Sequence, residues 1–206
     1  MSIPDLETYL PKVISWRRDL HMHPELGLQE VRTYNLIVDT LTTSGLDVQR
    51  NFAGTAVLGT LHTNKPGKTV VLRADMDALP IQDAKDVPYR SQISGVCHAC
   101  GHDAHTATLL TAAKILKAKE NEFSGQVRLF FQQAEEIGQG ARQFIQAGLL
   151  DGVTRVFGAH VTSHLDSGKI SLTAGPQNAS CDYFKIQIHG KGAHVSTPQL
   201  GVDALY

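Results

Sequence analysis

A chain of 206 residues, 42% of them hydrophobic, can bury one good core, or one core and the start of a second. Its formal charge of −1, with neither a basic stripe nor a polybasic block, gives no electrostatic case for binding nucleic acid or an acidic membrane surface. No apolar run approaches a membrane span, and residues 1–20 lack a signal peptide's apolar core. The odd set Cys97, Cys100 and Cys181 argues against a disulfide framework, so a soluble cytoplasmic protein is expected.

Residues 5–21 carry apolar side chains at helical spacing (Leu6, Tyr9, Leu10, Val13, Ile14, Leu20), with Pro11 marking a kink or a restart. A second helix is predicted over 29–44, closed by Gly45. Strand-like runs follow at 46–52 and 55–62, then an Asn64-Lys65-Pro66-Gly67 turn and a β-branched run at 69–74. Residues 103–119 form a strong helical pattern with an Ala/Leu face and a lysine-rich last turn. A strand at 127–132, a helix at 141–150 and strands at 154–161 and 169–172 complete the alternation. From Thr69 onward it predicts an α/β fold: a three-layer, mainly parallel sheet with helices on both faces.

Near Gly175-Pro176-Gln177-Asn178 the texture changes. Residues 183–189 alternate, with Phe184, Ile186 and Ile188 on one face and Lys185, Gln187 and His189 on the other, as in an antiparallel strand solvated on one side. A division into residues 1–177 and a smaller α+β domain beginning at 178–206 is expected, with 202–206 opening a helix.

The run His98-Ala99-Cys100-Gly101-His102-Asp103-Ala104-His105 packs a thiol, three imidazoles and a carboxylate ahead of a helix. Parallel α/β sheets place their sites at the carboxyl ends of strands. Asp75 and Asp77, Glu135 and Glu136, and His160 all fall at such ends, while Cys100 and His102 open the helix after a loop. Convergence of these residues on one rim is expected. Soft and borderline donors beside paired carboxylates point to a transition-metal site and hydrolysis.

Each signal has a plainer explanation. A Glu-Glu pair is usually a solvated face, but this one follows Leu129-Phe130-Phe131 at the mouth of a buried element. A lone histidine such as His160 is more often a hydrogen-bonded core residue. Asp75 and Asp77 could simply end a strand, although two-residue spacing points both to one face. His62, His164 and His189 suggest surface or edge positions. Cys97-His-Ala-Cys100 admits a redox pair or half of a structural zinc site, yet it follows a polar loop at 89–95 and no second ligand pair is near. Gly138-Gln-Gly140 has Gln143 where a dinucleotide loop needs its third glycine, and two glutamates before it would repel a pyrophosphate.

The whole set resembles the dinuclear-metal amidohydrolases that include hippurate hydrolases, N-acyl-amino-acid and N-acetyl-diaminopimelate deacylases and auxin-conjugate hydrolases. The motifs are Leu20-His-Met-His23-Pro-Glu25-Leu-Gly27 with Glu30, Arg73-Ala-Asp-Met-Asp77-Ala-Leu-Pro80, and His98-Ala-Cys100-Gly-His102-Asp103 with His105-Thr106. They continue through Ala134-Glu135-Glu136, Gly158-Ala-His160-Val161, and Gly190-Lys-Gly192-Ala-His194 with Pro198, covering nearly the whole chain in order. The resemblance implies a zinc-peptidase-like fold with a lid or dimerisation domain, and hydrolysis of the amide bond of aromatic-acyl or acetyl amino acids. It implies Cys100, His102, Glu136 and His160 as ligands of two divalent ions, zinc or manganese, with cobalt or nickel admitted. It further implies Glu135 as general base, Asp77 and Asp103 as supporting carboxylates, and His194 as a lid histidine polarising the scissile carbonyl from the neighbouring subunit of a homodimer.

The pattern departs from the family at Cys97 in place of methionine, Gln133 in place of proline and Ala193 in place of glycine. The family's returning C-terminal segment, with its last histidine ligand, does not follow. An N-terminal fragment, inactive alone, is therefore expected. The alternatives are a non-catalytic dimerisation fragment or a redox or structural-zinc protein using Cys97 and Cys100.

Overall fold

The computed structural model describes residues 6–50, 52–177, 179–180, 182 and 184–205, so Cys181 and Tyr183 lie outside the described residues. The chain divides into two compact units, Met1–Ser163 and His164–Tyr206.

In the first unit the helix expected over 5–21 is restarted. A 3-10 turn at Leu6–Thr8 gives way to helix α1 (Leu10–Met22), with Pro11 in its first turn, where a missing N–H costs nothing. Helix α2 (Val31–Thr43) takes its N-terminal cap from outside: the Glu25 carboxylate accepts the N–H groups of Arg32 and Thr33, each at 2.8 Å. It ends in a Schellman motif. Gly45, at φ +75°, donates to Thr42 O (3.0 Å) and Leu46 donates to Leu41 O (3.1 Å).

Among the described residues five strands follow: β1 (Asp47–Gln49), β2 (Val57–His62), β3 (Thr69–Asp75), β4 (Gln126–Gln132) and β5 (Val153–Gly158), in the spatial order β1-β2-β4-β3-β5. As expected from Thr69 onward, β3, β4 and β5 are mutually parallel; β2 runs antiparallel to β1 and β4, which makes the sheet mixed. Leu129 and Phe131 of β4 pack with Trp16, Ile37, Leu41 and Leu110 from α1, α2 and helix α3 (His102–Ala118). Phe130, on the opposite face, packs with Phe144 of the short helix α4 (Gly140–Gln146). The three expected layers are therefore present: both faces are buried along β2 and β4, while β5 is largely exposed.

This topology places the site. The crossover β3–α3–β4 runs over one face and β4–α4–β5 returns over the other. Right-handed connections in opposite directions require this arrangement. The carboxyl ends of β3 and β4 thus form a switch point, where the chain opens to opposite faces and leaves a crevice.

In the second unit, Lys191 and Val202 exchange two backbone hydrogen bonds at 2.9 Å, and a 3-10 turn spans Pro198–Leu200. Expectations for three segments are corrected here. No strand forms over 169–172 or over the described part of 183–189, where Ile170, Leu172 and Phe184 are at least 83% exposed. An isolated extended segment has no ladder for its backbone groups, and alternation alone supplies no partner. Residues 202–205 are not helical, because the N–H and C=O of Val202 are engaged by Lys191. The two compact units divide between Ser163 and His164; the sequence expectation concerned a domain boundary at 177/178.

Candidate metal centre

The residues from Asp75 to Leu79 continue as an extended rim beyond β3. Ala78 donates to Glu25 O (2.8 Å), and Leu79 exchanges backbone hydrogen bonds with Cys97 (3.0 and 3.1 Å). Gly101 then turns the chain into α3 with φ +91°, and a side chain there would meet Val161 Cγ2 at 2.5 Å. His102 becomes the first residue of α3, fully buried beneath this rim. After β4, Ala134 adopts φ +50° and donates to the buried Glu30 carboxylate (3.0 Å), which turns Glu135 and Glu136 toward His102.

The donor atoms meet. His102 Nε2 lies 3.8 Å from Glu136 Oε1, 4.0 Å from Glu135 Oε2 and 3.7 Å from Asp75 Oδ2. Cys100 Sγ lies 3.3 Å from His160 Nε2, and the His102 and His160 rings are 6.0 Å apart. Among the described residues, three sets of donors fall within 4.8 Å of one another: Cys100, His102 and His160; His102, Glu135 and Glu136; and Asp75, His102 and His105. Cys100, His102, Glu135, Glu136, His160, Asp75 and Asp77, separated by up to 85 positions, therefore share one rim. His194 belongs to the second unit, where its Nδ1 accepts the Ser196 N–H (3.2 Å).

The electrostatics favour a cation. His102 Nδ1 donates to Asp77 O (2.9 Å), which leaves the lone pair on Nε2, and this buried nitrogen has no hydrogen-bond partner. Asp77 Oδ1 and Glu136 Oε1 are likewise buried without one, although Asp77 Oδ2 accepts the Glu136 N–H (3.0 Å). Burial, together with the carboxylates of Glu136, Glu135 and Asp75, pushes the Cys100 thiol up to about 11. Burial also raises Glu136, opposed by His102 and reinforced by Glu135 and Asp77. Burial alone would raise Asp75 as well, but the hydrogen bond from His105 and the charge of the Arg73 guanidinium hold it at about 2. Unpaired lone pairs amid clustered negative charge are what a divalent ion would satisfy.

Asp103 supports the cluster from behind. It accepts from His21 Nδ1 (2.6 Å) and Arg17 Nε (3.0 Å), while His21 Nε2 reaches Asp83 Oδ2 (3.2 Å). Sequence reasoning assigned no role to His21, Glu30, Asp83 or His105, although three of them sit in the quoted motifs. Their partners are 82, 104, 62 and 56 residues away, a separation that spacing does not encode. Cys97 is buried, its thiol pushed up by burial, and it joins none of the three donor sets. Among the described residues no second ligand pair completes a structural zinc site with it.

Residues 71–205 match the model of peptidase family M20/M25/M40. A thermostable carboxypeptidase 2 of Saccharolobus solfataricus is 46% identical over 197 residues, covering 94% of this chain and 50% of that one. An N-acyl-L-amino acid amidohydrolase of Geobacillus stearothermophilus is 46% identical over 195 residues, covering 94% of this chain and 52% of that one. The crystal structure of the Bacillus subtilis YXEP protein, described as a dinuclear metal binding peptidase, is similar with a TM-score of 0.80 at 40% identity. The match covers 82% of this chain and 48% of that one. The chain thus spans about half the length of the curated relatives it matches. With a family match over most of its length and relatives 46% identical across 94% of it, the chain belongs to peptidase family M20/M25/M40.

Proposed function

We propose that the chain forms the metal-binding part of an amidohydrolase that cleaves N-acyl amino acids, acetyl or aromatic-acyl, into a carboxylic acid and a free amino acid. The observation that carries this reading is the meeting of Cys100, His102, Glu136 and His160 around buried lone pairs with no partner. These four would hold two divalent ions. Cysteine and histidine favour zinc, while the carboxylate donors also admit manganese, cobalt or nickel. Ions held there would supply the chemistry of an activated water at neutral pH and of carbonyl polarisation.

The protein's own residues do the rest. Asp77 fixes His102 through its backbone carbonyl and Glu136 through its side chain. Glu135, with a side chain 41% exposed at the rim, takes the proton of the attacking water and passes it to the leaving amine. His194, whose Nδ1 is held by the Ser196 hydroxyl (2.8 Å) and backbone N–H (3.2 Å), is the residue that would polarise the carbonyl oxygen through Nε2. The relatives' names, carboxypeptidase and N-acyl-L-amino acid amidohydrolase, support this substrate class. Homodimerisation through the segment from 178 onward belongs to the same reading, supported by the exposed Phe184, Ile186 and Ile188, and sedimentation tests it. A cytoplasmic location is supported by the unpaired thiols of Cys97 and Cys100.

The direct test is a zinc or cobalt titration of the chain, followed by assay with N-acetyl and N-benzoyl amino acids. A variant lacking His102 and Glu136 that binds metal as well as the parent would refute the assignment. Cys97→Ser is expected to keep full metal affinity and resist oxidants better, whereas Cys100→Ser loses affinity; metal loss in Cys97→Ser would restore the Cys-x-x-Cys reading. Metal affinity is also expected to rise with pH. The Cys100 thiol, at about 11, is protonated in the free protein and must give up its proton on binding, so competition by protons weakens as pH increases. Isothermal titration in buffers of differing ionisation enthalpy measures the released proton, and Cys100→Ser should remove it.

A further inference from the structure

His105 lies at the site, yet both of its ring nitrogens are already engaged. Nδ1 donates to Asp75 Oδ1 (2.5 Å), and Nε2 accepts the N–H of Val161 (2.9 Å). Asp75 is in turn braced by Arg73 Nη1 (2.6 Å) and, at its carbonyl, by the Thr106 hydroxyl (3.0 Å). Because the carboxylate can only accept, Nδ1 must carry the proton and Nε2 the lone pair. His105 is therefore committed to one tautomer.

Val161 is where this matters. The ladder between β3 and β5 ends at Arg73 and Gly158, so the strand no longer holds residues 159–161. The Val161 N–H is taken up by His105, and the Val161 carbonyl accepts from Nδ1 of His160 (2.6 Å). That second bond leaves the lone pair of His160 on Nε2, 3.3 Å from Cys100 Sγ. The His105 ring also lies edge-on to the His160 ring, with centroids 4.5 Å apart.

We propose that His105 is a positioning residue: by gripping the Val161 backbone it sets the orientation in which His160 presents Nε2 to the metal. The inference rests on the reading of His160 as a ligand. It places His105 outside the ligand set, although its atoms fall within ligand distance of Asp75 and His102, because neither nitrogen is free to bind. The arrangement is a relay from the rigid end of β3 through α3 to a loop that its own strand has released. Partners that orient a ligand in this way typically change metal affinity by about 10- to 100-fold when removed.

The experiment titrates the 206-residue chain with Co(II), reading the thiolate-to-cobalt charge-transfer band for affinity and the visible d–d bands for ligand geometry. Thermal unfolding monitors the fold. His160→Ala and His105→Phe are each expected to weaken binding about 10- to 100-fold and to shift the d–d bands. His105→Gln, whose side-chain carbonyl can accept the Val161 N–H, should recover most of the affinity and the parent spectrum. Thr111→Val removes a buried hydrogen bond within α3, to Ala107 O, that takes no part in the Asp75–His105–Val161 chain, and should leave both unchanged. If His160→Ala perturbs binding and His105→Phe does not, the positioning role is wrong and the ligand reading stands. If His160→Ala matches the parent, or the parent binds no cobalt, the ligand reading falls and takes this inference with it. Equal losses in His105→Phe and Thr111→Val, or no recovery in His105→Gln, would mark a general weakening of the fold and overturn the proposal.

Discussion

In a turnover-competent chain, Glu135→Gln is expected to lower kcat by about 10²- to 10⁴-fold while the metal content stays constant, and Glu136→Gln to lose metal. Distance does not separate the two residues, since their oxygens lie 4.0 and 3.8 Å from His102 Nε2. Environment does. The Glu136 side chain is half as exposed as that of Glu135, its backbone is tied to Asp77, and its Oε1 is buried without a partner. A carboxylate in that state needs a cation. Glu135 remains open to solvent, where an attacking water and a leaving amine can both reach it. Replacing its carboxylate by an amide keeps shape but removes the proton acceptor. Metal analysis of the purified variants beside their turnover numbers decides the matter, and metal loss in Glu135→Gln with retention in Glu136→Gln would reverse the two roles.

The second large effect concerns a residue with no chemistry of its own. Gly140→Ala is expected to destabilise the first unit by about 3 kcal/mol or more, as overpacking against an immovable neighbour does. A Cβ at Gly140 would lie 1.7 Å from the backbone oxygen of Gln133. In an ordinary helix the same change would add about 1 kcal/mol of stability, so the predicted sign is opposite to propensity. The clash falls on the two residues that lead into Glu135, and the strained Ala134 must move with them. Metal affinity should therefore drop together with stability. Gly138→Ala is the comparison: Gly138 has φ +66° with no atom near its Cβ position, so it bears only the left-handed penalty of about 1–2 kcal/mol. Urea unfolding of the two variants measures the difference, and equal midpoints would show that the Gln133 carbonyl yields to a side chain.

Much of this was legible in the residues themselves. Helical periodicity located α1, α2 and α3 to within about two residues at most ends, because a helix that buries one face repeats that face every turn. Gly45 marked the end of α2 because the left-handed C′ position is a local, glycine-favoured event. The apolar runs of β3 and β4 marked the interior strands, β4 the more deeply buried, and the polar residues just beyond them marked the rim. Local pattern carried less for 169–172 and 183–189, where alternation described a face but no partner strand forms among the described residues.

From the sequence alone came the α/β class, the strand ends and the identity of the donors clustered there. These follow from periodicity and residue chemistry, which act over a few positions. Only the tertiary structure decided that β4 lies between β2 and β3, and so that Asp75 and Glu136 face one crevice. It alone set the tautomers of His102 and His105 and handed the Val161 N–H to an imidazole 56 residues away. The reason is physical. A hydrogen bond between distant residues is fixed by where the whole sheet and its crossovers bring two backbones, and no short stretch of sequence carries that distance.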